Sequence, residues 1–277
     1  MRVNRLTYQF NRFTALAYGD MINRFRRERL GLPRMSRLSD YLTMRGGDRA
    51  PVLYPFSRHV VPVPSDYPAT AHVTGYWFRE TTSTWEPPRD LLGFLQAGRP
   101  IVYVGFGSMG FGAKAEERGR IVLHALREAG VRAVLATGWG SLAAQSADDV
   151  FVDDVPHNWL FPRVDAVVHH GGSGTTAAGL RAGKPTLICP VLGDQPFWGR
   201  RVDELGVGPL PLPLPLRSAA PHTLAERIVE LTFREEYAAR LRKWTTRPDA
   251  QILQENRAAL EASMQASPQR LPADEDD

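Results

Sequence analysis

From Ile101 onward the chain alternates two patterns. Short runs of Val, Ile and other apolar residues, too continuous for half-exposed strands, are separated by longer stretches in which apolar positions return every three or four residues. The first pattern suits strands buried on both faces of a parallel sheet, and the second suits the helices that cover them. This predicts a strand at 101–106, a turn, a helix at 113–130 stopped by Gly130, a strand at 131–137 and a short strand in DVFVDD. A short helix between the prolines of VPHNWLFPRV, a strand at 165–170, a helix in SGTTAAGLRAG and a strand at 185–191 follow. After a helix through GRRVDELG, the run PLPLPLPL at 209–216 excludes a central strand or helix, because alternate residues lack an N–H, and predicts an extended crossing. Helices at 223–231, 235–244 and 250–264 complete the series. The predicted class is α/β: a Rossmann-like parallel sheet with helices on both faces, plus a partial N-terminal domain.

Residues 1–85 follow neither pattern for long. Two helices are expected there, then VLYPFSRHVVPVPSDYPATAHVTGYWF, crowded with prolines and aromatics and lacking a complete strand-helix-strand set. The predicted organisation is a remnant of a preceding domain and its linker at 1–85, a ligand-binding Rossmann-like domain at 86–265, and an acidic tail without packed structure at 266–277.

Composition narrows the class. The 43% apolar content supports a sizeable core, and 23% charged residues fit a soluble globular chain. The net charge of +4 comes from 11 Arg among the first 50 residues, with the remainder nearly balanced, so the chain carries a basic edge rather than a nucleic-acid footprint. For that leading segment three readings are open: a membrane-surface helix, a transit peptide, or an ordinary helix of a larger domain. The ordinary helix is favoured, since charge runs are most often solvated faces; peripheral membrane contact stays open. A single cysteine, Cys189, excludes an internal disulfide and points to a reducing compartment. With no spanning run and no secretory signal, the expectation is a cytoplasmic protein.

Two glycine clusters match the dinucleotide fingerprint: Gly105, Gly107 and Gly110, then Gly172, Gly174 and Ala177. The fingerprint also needs an acidic residue at the end of the next strand to hold a ribose. The first match meets Ala136-Thr137 there, and the second offers Asp194 only beyond a Pro-Val-Leu-Gly turn, so a nicotinamide enzyme is disfavoured. Adjacent His169 and His170 suggest a metal, yet neighbours in a strand point to opposite faces and no further ligand lies at the right spacing. No metal is expected. Instead His170 should face the crevice at its strand end while His169 packs or hydrogen-bonds behind it.

The turn from Gly171 to Thr176 suits an anion. Glycines allow close backbone approach, a helix N-terminus offers unpaired N–H groups, and Ser173, Thr175 and Thr176 add hydroxyls; the plain alternative is a helix cap. Asp194 and Gln195 follow at the end of the next strand, where open parallel sheets bind ligands, with the hydrogen-bonding groups a sugar diol needs. Phosphate and polyol chemistry on adjacent strand ends describes a sugar nucleotide.

At these residues the chain becomes recognisable. The stretch DDVPHNWLFPRVDAVVHHGGSGTTAAGLRAGKPTLICPVLGDQPFWGRRVDELGVGP resembles the donor-binding signature of family 1 glycosyltransferases of the GT-B fold, above all the sterol 3-beta-glucosyltransferase-like and antibiotic-glycosyltransferase branch. Weaker likeness runs through RRERLGLP, HVVPVPSDYPATAHVTGYWF and GFGSM. The resemblance implies that Asp154, Val155 and His157 hold the base largely through backbone groups. It likewise implies diphosphate binding by His170, Ser173, Gly174 and Thr175 with Ser108 nearby, and sugar binding by Asp194 and Gln195. It further implies a UDP-sugar donor, no cofactor or metal, and inverting hexosyl transfer to a hydroxyl of a lipophilic acceptor such as a sterol or terpenoid. One departure stands out: the family's N-terminal glycine-rich turn and catalytic base His have no counterpart before Ile101, where His59 and His72 sit in the Pro-rich segment. The expectation is a truncated enzyme with no catalytic base of its own, short of roughly 100–150 residues, or else a non-catalytic donor-binding subunit that works with a separate acceptor-domain chain.

Overall fold

The computed structural model describes residues 10–36, 49–78, 85–96, 98, 100–107, 115–136, 149–213 and 220–245. They fall into two contact units. Residues up to 54 together with 63–74 make the smaller, and 55–62 with the residues from 75 onward make the larger. The larger unit therefore reaches back before residue 86, because Phe56, Val60, Val61 and Tyr76 pack into one of its apolar clusters.

Among the described residues of the smaller unit, α1 (Phe10–Leu30) is the one helix. It stops at Gly31, whose φ of +62° few other residues tolerate. The Asn23 amide clasps the segment that follows, donating from Nδ2 to the Met35 carbonyl (2.9 Å) and accepting the Met35 N–H at Oδ1 (2.7 Å). Strands β1 (Val52–Tyr54) and β2 (Ala71–Val73) form a parallel pair with Val52 opposite Ala71.

The larger unit runs α2 (Arg89–Gln96), β3 (Ile101–Gly105), α3 (Ala115–Ala129), β4 (Arg132–Ala136), β5 (Val150–Val152) and α4 (His157–Leu160), the last passing into a 3-10 turn at Phe161–Arg163. Then come β6 (Ala166–His169), α5 (Ser173–Arg181), β7 (Thr186–Ile188), α6 (Gln195–Glu204), α7 (Ala220–Phe233) and α8 (Glu235–Thr245). The five strands are parallel in the order β5-β4-β3-β6-β7. This is the α/β class the periodicity predicts, with strands one to three residues shorter at their ends, whereas α7 and α8 run beyond the expected 223–231 and 235–244 and α6 begins at Gln195, before GRRVDELG. Strand β7 stops early because the N–H next in line for β6 after that of Cys189, the Val191 amide, donates instead to Gln195 Oε1 at 2.7 Å. Residues 209–213 form neither helix nor strand, and the Leu212 N–H donates to the Ile188 carbonyl at 3.0 Å, so the proline run passes along β7. The rest of that run, the helix read at 250–264 and the acidic tail lie outside the described residues.

Burial follows the pleat. In β3, Val102 and Val104 join a cluster with Val122, Leu126, Leu224 and Ile228 of α3 and α7, whereas Ile101 and Tyr103 face the other way, toward Leu91, Leu160 and Phe161. A sheet coated on both faces needs strands without polar gaps, which is what the Val-rich runs supply. The one charge in the central strands, buried Arg132, donates to the Phe94 carbonyl and stacks its guanidinium 3.8 Å above the Phe94 ring. Leu126 is 1% exposed within the α3–α7 side of the core. Leu126→Ala should lower unfolding free energy by about 3 kcal/mol, read from urea denaturation as a lower midpoint at unchanged slope.

Candidate functional site

The chain lays β3, β4 and β5 outward on one side, then returns across the sheet to place β6 on the other side of β3. Connections from β3 and β6 consequently leave in opposite directions, and their C-terminal ends border the crevice in which open parallel sheets bind ligands. Gly107 follows β3 with φ +56°, and His170 follows β6. A Cβ added to Gly107 would lie 3.1 Å from Cε1 of His170, and one added to Gly172 would lie 2.8 Å from its Nε2. The imidazole is thus wedged between two positions that have no room for a side chain.

His169 and His170 diverge, with ring planes 89° apart, as adjacent strand positions require. His169 is fully buried and its Nδ1 accepts the Gly171 N–H at 3.0 Å. Gly171 adopts φ +96°, and a Cβ there would stand 2.6 Å from Ile188 Cγ2. The corner then opens into α5. Gly172 is its N-cap and no side chain caps it, so the hydroxyls of Ser173 and Thr175 are not spent on the helix end. Thr176 is different: it is buried, and its Oγ1 donates back to the Gly172 carbonyl at 3.0 Å, which makes it part of the scaffold. The first N–H bonded within the helix is that of Thr176, leaving those of Ser173, Gly174 and Thr175 pointing outward. Ser173 and Gly174 are exposed and Thr175 half-buried. Three amides and two hydroxyls thus stand at the positive end of the helix dipole.

Burial holds the His170 imidazole below its ordinary pKa, opposed by the Gly105 carbonyl and by Asp194. Asp194 is exposed beside α6, and its Oδ2 accepts from Trp198 Nε1 at 2.7 Å. Its Oδ1 is left for a ligand. Gln195 departs from the two-way role expected of it. The residue is 5% exposed, and its Oε1 accepts the N–H groups of Val191 (2.7 Å) and Leu192 (3.1 Å), bracing the turn; only Nε2 is left to donate outward.

At the end of β5, Val155 is buried and Asp154 is exposed. The His157 ring turns inward, stacked on Phe161 (centroids 4.4 Å apart) with Nε2 3.0 Å from the Tyr103 hydroxyl. Burial keeps His157 below its usual pKa, against the field of Asp154. Burial also pushes the Tyr103 phenol up, so the group that meets His157 Nε2 is a protonated hydroxyl. Ser108 lies outside the described residues. Two contributors escaped the sequence reading, Tyr103 and Trp198, while His169 hydrogen-bonds behind His170. Trp198 stands four residues after Asp194 on a helix, a spacing that signals contact.

Residues 123–259 match the family model for the C-terminal domain of erythromycin biosynthesis protein CIII-like proteins. The chain carries the EryCIII-like C-terminal domain of a GT-B glycosyltransferase. It is 43% identical over 228 residues to a sterol 3-beta-glucosyltransferase of Arabidopsis thaliana, an alignment covering 81% of this chain and 35% of that relative, so it spans about a third of the length of the protein it matches. Its fold is shared with the kitacinnamycin glycosyltransferase (TM-score 0.59, 19% identity, 90% of this chain and 61% of the other). The same holds for the glycosyltransferase VinC in complex with dTDP (TM-score 0.52, 22% identity, 73% and 50%). No described helix is long and apolar enough to cross a membrane, and among the described residues no group of three His, Cys, Asp or Glu side chains could hold a metal ion.

An anion at the α5 N-terminus raises the pKa of His170 above its depressed free value. The gain in affinity is complete below the free pKa and is lost as pH rises through the bound one. Inorganic pyrophosphate should bind this domain more tightly as pH falls through the bound pKa of His170 toward its depressed free one, and more steeply in the wild type than in His170→Gln. Parallel pH profiles of the two proteins by calorimetry would remove His170 from the anion site.

Proposed function

We propose that this chain binds a nucleoside diphosphate sugar, UDP-glucose first among them, as the donor half of an inverting glucosyl transfer to a hydroxyl of a lipophilic acceptor such as a sterol or terpenoid. The observation that carries this reading is the union, at adjacent strand ends, of the uncapped α5 N-terminus with His170 and of the Asp194 carboxylate. The first set answers a diphosphate; the second answers sugar hydroxyls. The segment Asp154 to His157 is the stretch this reading assigns to the base. Likeness to the sterol 3-beta-glucosyltransferase of Arabidopsis supports glucose and a sterol, and the dTDP complex of VinC supports a nucleotide at this fold.

In the proposed reaction an acceptor hydroxyl attacks the anomeric carbon in line with the departing nucleoside diphosphate. Charge grows on the leaving group as the bond to the sugar breaks. The Ser173 to Thr175 amides and the His170 imidazole are already aimed at it, so stabilisation needs no reorganisation at the moment of reaction. In this reading neither metal nor cofactor is called on. The base that takes the acceptor proton is assigned outside the groups gathered here: His157 and His169 are hydrogen-bonded within the domain, and His170 is committed to the anion.

Calorimetric titration with UDP, dTDP, UDP-glucose and NADH is the direct test. Binding of UDP and UDP-glucose with no response to NADH is expected, and the reverse order would make the chain a nicotinamide protein. Asp194→Ala should weaken UDP-glucose about tenfold and UDP less than about threefold, the loss of one hydrogen bond to a charged group. Equal loss for both ligands would take Asp194 out of the sugar site.

A further inference from the structure

His169 is the most deeply buried ionisable group beside the crevice, and the reaction proposed above makes no use of it. Its position is costly. Burial holds the imidazole well below its ordinary pKa, with His170 and His157 acting in the same sense, so it is neutral and carries one N–H. Because Nδ1 accepts from the Gly171 amide, that proton sits on Nε2, and Nε2 is buried with no hydrogen-bond partner. A buried donor left unmatched destabilises a fold, and an apolar side chain would avoid it. What the imidazole supplies in return is the acceptor for Gly171.

We propose that His169 is the positioning residue of the anion corner: its Nδ1 lone pair, accepting the Gly171 N–H, sets where His170 and the first amides of α5 stand. The linkage is mechanical. Gly171 is confined on its other side by Ile188 Cγ2 and by Gln195, whose Cβ and carbonyl each lie 3.2 Å from the place a Cβ would take. With φ at +96° the peptide is free to swing about that contact unless its N–H is tied. A swing would shift Gly172, where an added Cβ would stand only 2.8 Å from His170 Nε2, and would turn the Ser173, Gly174 and Thr175 amides from their present directions. The His169 carbonyl accepts the Cys189 N–H at 2.7 Å, so the backbone that bears the imidazole is itself fixed to the β7 edge.

This role rests on the anion-site reading, and the experiment separates the two. An Asn side chain presents its Oδ1 close to where Nδ1 of histidine lies, a Gln places its acceptor where Nε2 lies, and Leu has none. His169→Asn, His169→Gln and His169→Leu are compared with wild type for UDP affinity, thermal midpoint and exchange of the Gly171 amide by NMR. Expected are UDP affinity within about threefold of wild type for His169→Asn and a loss of about tenfold or more for the other two, at similar midpoints. The Gly171 amide should stay protected only in wild type and His169→Asn. Wild-type affinity in His169→Leu, or equal losses in all three variants, would overturn the proposal. Where a variant folds poorly, Gly171 protection in the remaining ones decides: protection in His169→Leu counts against it. Failure of wild type to bind UDP, with Gly171 still protected, would sink the anion-site reading instead.

Discussion

The pairing of β3 with β6 is the contact on which the site depends. These strands lie side by side in the sheet but 64 residues apart at their last paired positions, Gly105 and His169. Their register brings the turn after one strand against the turn after the other. Shifting it by one residue would exchange His169 for His170 at the buried position and turn every side chain of β6 to the opposite face. The apolar alternation of Val102 and Val104 against Ile101 and Tyr103 holds that register in place, since each set fills a different cluster. Core packing thus decides which histidine meets a ligand.

Much of this arrangement is legible in the amino-acid sequence. Uninterrupted Val-rich runs announce doubly covered strands, and the period of two separates His169 from His170 without a structure. Gly171 to Thr176 reads as an anion corner because its residue types serve no strand or helix interior well. What escaped has a common physical cause: side chains that bond to nearby backbone or to a partner distant in sequence. Gln195 turns to its own loop, a choice that depends on the shape of the Val191–Leu192 turn rather than on residue type. Tyr103 meets His157 across 54 residues, and no local pattern signals such a pair. Strand β7 was read too long because the Val191 amide turns to Gln195, while apolar character continues past that point.

Three histidines stand beside the crevice, and burial keeps all three short of their ordinary basicity. Neutral imidazoles have direction: one nitrogen gives and the other takes. Gly171 fixes that direction for His169 and Tyr103 meets the Nε2 of His157, while the Nδ1 of His170 is buried without a protein partner. The two with anchored rings shape the backbone. The third, wedged by glycines yet free to take a proton, is the one whose charge can answer an incoming anion.

Gln195 has a last consequence for the donor proposed here. Two amide hydrogens hold its carbonyl oxygen, so the side chain can meet a sugar only as a giver of hydrogen bonds. The sugar must reply with an oxygen lone pair. A deoxygenated carbon at that place would leave the amide unanswered, and a protonated amino group would be turned away. A small turn between β7 and α6 thereby acts as a sieve for oxygenation, set by the polarity of a single amide.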